Sequence, residues 1–426
     1  MADRPLARTS YSAAANLAPA RAALAGTHSC DVCVIGGGIA GTSTALHLAE
    51  RGFDVILLEA QQIGWGASGR SGGQVLPGIA ASQDTLEKLI GAEDAHKVWE
   101  VSVAGVQLVR ELIARYDIDG EFIAGHMLTA VKPRHDVQLR AYLEELQRRY
   151  AYDGIRYMPA SEVRSVLAST RYRGALYDAN AGHLHPLKYT LGLAAAAERL
   201  GVRIFEGTHA VDFAGRAPVR VRTPAGAVHC RQLVLCGNVY LGPTAPQLQA
   251  RIMAVGTCIV ATEPLGAARA RALITNDAAV ADMNWVLDYF RCSADQRLLF
   301  GGRVTYAGFD PDRIAAATRA RMTRVFPQLQ DVNVQFAWGG HVDITRNRAP
   351  DFGRLNPDVY YLQGFSGHGV ALAGIAGKLV SETLAAQAAR FDLFTRIPHR
   401  DFPGGAALRR PALVLAMLYY RIKDLL

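Results

Sequence analysis

Short runs in which every residue is apolar alternate, in the first part of the chain, with stretches of helical spacing. Val32-Cys33-Val34-Ile35 is such a run, bounded by glycine, and reads as a strand covered on both faces. Apolar residues then recur at helical spacing over 42–50 (Ala45, Leu46, Leu48, Ala49), with Arg51-Gly52 as a C-terminal stop. Residues 54–59, Asp-Val-Ile-Leu-Leu-Glu, form the next buried strand. Helical spacing continues over 82–116 with a break at Gly91, strands are expected at 121–132 and 154–158, and a charged helix near 134–150. His185-Pro186 opens a helix that ends at Leu200-Gly201, and buried strands return at 202–205 and 232–236.

From about residue 245 to 335 the texture changes. Segments 252–262 and 284–291 alternate apolar and polar residues, as an antiparallel sheet with one open face requires, and one helix lies near 311–325. The strand at 360–362 and the helix 370–384 return to the first style. The expected fold class is α/β. It consists of a discontinuous Rossmann-type nucleotide-binding domain (28–80, 154–244 and 336–390) and an inserted, mainly antiparallel substrate domain with helices (81–153 and 245–335). An N-terminal arm (1–27) is expected along the surface, and 391–426 forms a C-terminal tail and helix.

Composition narrows the function classes. The chain has 426 residues, half of them hydrophobic, enough for a large core and two or three domains. A net charge of +8 suggests nucleic acid, but the basic residues are scattered and mostly arginine, without the clustering that a nucleic-acid footprint needs. Cys30 and Cys33 form a C-x-x-C inside the expected first strand, with no second such pair or nearby histidines to complete a metal site. They read as structural thiols pointing to opposite faces. The remaining cysteines (Cys230, Cys236, Cys258, Cys292) are dispersed, which fits a reducing compartment. Without a signal-peptide pattern or an apolar run of about 18 residues, the expected location is the cytoplasm. The apolar segment 411–426 is expected to pack on the body rather than attach to a membrane surface.

The chemistry begins at Gly36-Gly37-Gly38-Ile39-Ala40-Gly41, a G-x-G-x-x-G placed after a strand and before a helix. Its glycines permit a tight turn, and the helix N-terminus offers N–H groups to a pyrophosphate. Glu59, followed by Ala60, stands at the end of the second strand, where an acid binds ribose hydroxyls. The fingerprint occurs once and is followed by the glycine-rich stretch 64–74, whose backbone an extended cofactor can approach closely. Both features favour FAD over NAD.

The strand-turn-helix, Gly66-Ala67-Ser68-Gly69-Arg70-Ser71-Gly72-Gly73-Gln74 and Gly364-Phe365-Ser366-Gly367-His368-Gly369 resemble the D-amino-acid oxidase/glycine oxidase superfamily of FAD-dependent oxidoreductases. Residues 286–291, Trp338-Gly339-Gly340 and the tail 415–420 are most similar to its gamma-glutamylputrescine oxidases. The resemblance implies that Ser68, Gly69, Arg70, Ser71 and Gly72 lie along the flavin, and that Gly237 joins the cradle. It also implies a backbone contact of Val211 with adenine. The loop Gly364 to His368 and the helix opening at Gly369 and Val370 would face the pyrimidine edge, and His368 is the leading side chain beside the ring. Asp288, Tyr289 and Arg291 sit on the expected pocket wall. Trp285 and Trp338 either cover the substrate or belong to the core, and Arg291 or Arg348 suits a substrate carboxylate. Gly339-Gly340-His341 stands where relatives with covalently held flavin carry cysteine, so non-covalent FAD is expected, and no metal.

The implied reaction takes a hydride from the C–H beside an amine to flavin N5, with imine hydrolysis and return of the electrons to O2 as H2O2. Gamma-glutamylputrescine is the leading substrate. The stretch 297–301 lacks the lysine that some oxidases of the family hold near the flavin. This keeps open a dehydrogenase of an amine or amino acid (sarcosine, glycine, a D-amino acid) feeding a quinone. A non-catalytic flavin-binding component is the reading from another class.

Overall fold

Residues 32–35 and Val55–Leu58 are all buried, as strands between two covering layers must be. The structure, a computed structural model, describes residues 6–305 and 309–403, the side chains of 303–305 excepted. The two strands belong to an eight-stranded sheet. Its main path runs Asp351–Asn356, Val359–Gln363, Gly226–Leu235, Gly26–Ile35, Val55–Leu58 and Arg203–Phe205. Neighbours on this path are parallel except the first pair. Helices Ile39–Ala49, Ala92–Tyr116, Pro186–Arg199 and Gly369–Leu384 cover one face and share a core with Val32, Val34, Val55 and Leu57. The alternate residues Cys33, Ile35, Ile56 and Leu58 meet Val219 and Val221 on the other face.

The second sheet has nine strands in the order Val334–Thr345, Ile252–Thr262, Leu298–Thr305, Tyr289–Cys292, Ala279–Asp282, Ile123–Ala130, Gly174–His183 and Gln74–Val75. Ile155–Pro159 pairs beside Gly174–His183. On one face Phe290 stacks on Phe300 at 5.5 Å and meets Phe326 edge-on at 5.1 Å, beneath helix Pro311–Val325. The other face carries Ile259, Leu299, Trp338 and Tyr289.

These pairings revise the expected domain boundaries. Residues 155–159, 174–183, 74–75 and 336–345 are expected in the nucleotide-binding domain, yet they belong to strands that hydrogen-bond into the second sheet. Conversely, helix Ala92–Tyr116, expected in the substrate domain, packs Val98, Val101, Val109 and Leu112 into the nucleotide-side core. The strand expected over 284–291 begins only at Tyr289. Asn284 and Asp288 turn back to donate their N–H groups to the Asp282 carboxylate at 3.0 and 3.2 Å.

The expectation of opposite faces for Cys30 and Cys33 is also corrected. Asp31 and Val32 both donate to Asp54 O, so an extra residue interrupts the alternation and both thiols join the core that contains Cys230. The arm, too, departs from expectation. Tyr11 and Leu24 are buried, although most of 13–20 is exposed. No single helix among the described residues is long and apolar enough to cross a membrane. The apolar segment 411–426 lies outside the described residues.

Phe290 anchors the core beneath the second sheet. Phe290→Ala is expected to lower unfolding free energy by about 3–5 kcal/mol in urea titrations. A loss below about 1 kcal/mol would show that this core repacks freely.

Candidate active site

Two glycines close the first turn on itself. Gly36 has φ +110°, and a Cβ there would lie 2.8 Å from the Cys236 carbonyl; a Cβ on Gly41 would lie 1.8 Å from Gly36 O. Only glycine permits this approach of helix to strand. Gly237 abuts the same turn, its N–H 2.9 Å from where a Gly36 Cβ would stand. Glu59 accepts the Gly37 N–H at 2.6 Å and the Gln61 N–H at 2.8 Å. Burial raises its pKa, and these N–H groups pull it back. Helix Ile39–Ala49 starts at Gly38, which has no side chain for a cap, and Ser68 Oγ accepts the Ile39 N–H at 2.9 Å instead.

Ser68 therefore folds the glycine-rich strip over the turn. From there the strip crosses to the second sheet. Arg70 donates to Trp65 O at 2.8 Å and Gly339 O at 3.3 Å, with its guanidinium 4.5 Å from the Trp65 ring. Ser71 N–H returns to Ala67 O at 3.0 Å, while Gly69 is buried against Gly64 O. Gly72 lies under the Tyr289 ring, where a Cβ would come to 2.7 Å. Gly73 O accepts from Leu184 N at 2.9 Å, and Gln74 enters the sheet.

The structure separates the candidate side chains. Arg291 is 4% exposed and its donors are engaged within the protein: Gly72 O at 2.8 Å, Leu184 O at 2.9 Å, Tyr11 OH at 3.2 Å and Cys292 O at 3.3 Å. It holds the strip and does not present itself to a carboxylate. Trp338 belongs to the core and donates to Arg70 O at 3.0 Å, so it pins the strip as well. Asp288 is buried in an ion pair with Arg321 at 2.7 Å, which removes it from the substrate wall. Trp285 is exposed on the turn before it. Val211 N–H is taken by Arg222 O at 2.8 Å, joining the loop after Arg203–Phe205 to a hairpin.

His368 and Arg348 lie within electrostatic reach of one another. His368 precedes helix Gly369–Leu384 as its cap residue, and its pKa falls to about 4 through burial and the Arg348 charge. Arg348 is exposed at this edge. The loop before the helix is fixed by Asp343, whose buried carboxylate accepts the N–H groups of Gly364 and Phe365, the latter at 2.9 Å. Ser366 N–H reaches Asp343 O at 3.0 Å, and Gly367 and Val370 flank the turn. Ser43 Oγ donates to Gly374 O at 2.7 Å, clamping this helix to Ile39–Ala49.

His126 was not anticipated from the sequence. It stands beside Ala279 in the second sheet, two residues before Leu128, which pairs with Ala281 and so continues to Tyr289 on the same face. Burial, then the His368 charge, lowers its pKa to about 3, and its Nε2 is buried with no hydrogen-bond partner. The signal was present: His126 sits in phase with the alternation at 126 and 128, on the face opposite buried Met127. Asp343 was missed because a buried carboxylate looks like any strand-end acid until its N–H donors are seen.

The residues fit a flavin dinucleotide: a turn and strip that side chains would fill, an acid at the strand end, and a second helix start beside a histidine. Residues 31–383 match the family model described as FAD dependent oxidoreductase. The chain is 40% identical over 415 residues to the gamma-glutamylputrescine oxidoreductase of Escherichia coli (strain K12), covering 97% of both chains. It is 38% identical to the probable oxidoreductase OrdL of Haemophilus influenzae, over 92% of each. Among solved structures, glycine oxidase from Geobacillus kaustophilus superposes with a TM-score of 0.75 at 19% identity, covering 88% of this chain and 100% of that one. That likeness shows the fold.

The buried histidines carry a pH signature. His126 and His183 are held near 3 and His368 near 4, mainly by burial. Unfolded histidine titrates at about 6.5, so below that pH the unfolded chain binds protons that the folded chain refuses. The neutral-histidine contribution is complete above about 6.5 and is lost as pH falls. Asp282, raised to about 7 by burial, acts in the opposite sense, identically in variant and parent. His126→Gln is therefore expected to make the loss of stability between about pH 6.5 and 4.5 shallower by up to about 1.4 kcal/mol per unit in urea titrations. An unchanged slope would place His126 in water.

Proposed function

The chain belongs to the FAD dependent oxidoreductase family, and on that premise we propose that it oxidises an amine, with gamma-glutamylputrescine as the leading substrate. The observation that carries this reading is the start of helix Gly369–Leu384 at His368, within electrostatic reach of Arg348, on a helix against which the end of the glycine strip, Gln74–Val75, also packs. Non-covalent FAD would be held by Gly36, Gly38, Ile39, Gly41, Glu59, the strip 68–72, Gly237 and the 364–370 turn. When bound, it would supply the hydride acceptor for the carbon beside the amine and a route for the electrons to O2, giving H2O2.

The chain's own residues set the terms of that step. A neutral His368, kept so by burial and Arg348, accepts a hydrogen bond from the amine, while burial and the nearby Arg348 charge disfavour the ammonium and so favour the uncharged, reactive form. His126, also neutral, adds a second acceptor. Arg348, at the exposed edge, offers its planar donor fork to the substrate carboxylate. Tyr289 lies over Gly72 and gives the pocket an apolar wall. The imine leaves to be hydrolysed by water. A second reading, a dehydrogenase feeding a quinone, is favoured by the absence of lysine from 297–301.

Anaerobic mixing with gamma-glutamylputrescine is expected to bleach the flavin band, and air to restore it with peroxide. Bleaching only by glycine, sarcosine or a D-amino acid would overturn the substrate, and reoxidation by quinone without peroxide would favour the dehydrogenase. Arg348→Ala is expected to raise KM for the carboxylate-bearing amine about tenfold or more while leaving putrescine unaffected. His368→Ala is expected to slow bleaching about a hundredfold with FAD still bound.

A further inference from the structure

Residues 6–25 reach both ends of the cofactor cradle. The first anchor is Tyr11, in a short helix whose start is fixed by a capping box between Thr9 and Ser12. Its ring is 2% exposed, 5.4 Å from Trp338 and 4.9 Å from His185. Its hydroxyl accepts from Arg291 Nη2 at 3.2 Å. Both of those larger partners hold the strip: Arg291 at Gly72 O, Trp338 at Arg70 O.

The second anchor is Arg21 to Leu24. Arg21 donates its N–H to Glu206 at 2.7 Å and its guanidinium to Glu206 at 3.3 Å and Glu198 at 2.6 Å. Leu24 N–H reaches Thr208 Oγ1 at 2.9 Å. Glu206 in turn accepts the Ile63 N–H at 2.7 Å, and Thr208 N–H donates to Glu59 O at 2.8 Å. The arm thus grips the segment that carries the ribose acid. Between the anchors, 13–20 bridges a groove of about 360 Å³ lined by Gln62, Ile63, Lys188 and Leu191.

We propose that the N-terminal arm is a cofactor strap, with Tyr11 and Arg21 as positioning residues that hold the glycine strip and the Glu59–Ile63 turn in the shape that binds FAD. The proposal rests on the flavoprotein reading above. A loop that is only partly in its binding shape binds proportionally more weakly. By linkage, FAD must steady the arm as much as the arm steadies FAD.

The test uses full-length apoprotein reconstituted with FAD, read by quenching of flavin fluorescence. Tyr11→Phe keeps the ring and loses only the hydroxyl; it is expected to raise the FAD Kd about tenfold, the size of one hydrogen bond to a charged group. Arg21→Gln is expected to raise it about fivefold, with Arg21→Lys restoring part of the loss, and it decides the matter if Tyr11→Phe does not fold. Trypsin cleavage after Arg21 in the parent protein is expected to be slower with FAD than without. A Kd within twofold of the parent in the variants, together with cleavage indifferent to FAD, would overturn the strap while leaving the flavoprotein reading intact. Failure of the parent itself to take up FAD would overturn both.

Discussion

A buried cation sets the geometry of this protein. Removing a guanidinium from water is costly unless its donors are met, and Arg291 meets them almost entirely with backbone carbonyls and a tyrosine hydroxyl. Those acceptors come from the glycine strip, from the end of Gly174–His183 and from the arm. One side chain therefore dictates the spacing between pieces distant in sequence. The strip must arrive with Gly72 under Tyr289, since any side chain at 72 would collide with that ring. The nucleotide turn and the second sheet are held at one separation because a poorly met guanidinium is the alternative.

The same economy of charge explains the character of the site. Its histidines are neutral through burial rather than through pairing with acids, and the acids nearby are occupied elsewhere: Asp343 with loop N–H groups, Asp288 with Arg321, Glu59 with the turn. Arg348 is exposed at this edge and its charge reaches His368.

What could be read from the chain was what local rules encode. The fingerprint, the fully apolar strands and the helices 82–116, with its break at Gly91, and 311–325 follow from periodicity and glycine placement, and they stand where expected. Gly174–His183 escaped because Asp178 interrupts its apolar pattern; the carboxylate is buried only because Tyr152 donates to it at 2.9 Å and Asn180 N–H at 2.9 Å. Arg291 was placed on the right strand, but its role depends on acceptors from three other segments: Gly72 O, Leu184 O and the Tyr11 hydroxyl. Tyr11 looked like part of a surface arm, since nothing in 6–25 announces that a ring is buried there. Long-range satisfaction of polar groups leaves no local pattern to find.

The irregularity at Asp31 has a chemical consequence. By shifting the alternation it turns Cys30 inward beside Cys33 and Cys230, under an apolar cluster. Burial holds the Cys30, Cys236 and Cys292 thiols at about 12; the hydrogen bond between Cys33 and Cys230, with burial, raises Cys33, while the same bond lowers Cys230, which is sealed at 1% exposure. Peroxide attacks thiolates, not thiols. Should the proposed oxidase release peroxide, these sulfurs would stand beside its oxidant, and protonation at Cys30, Cys33, Cys236 and Cys292, with burial at Cys230, keeps them unreactive.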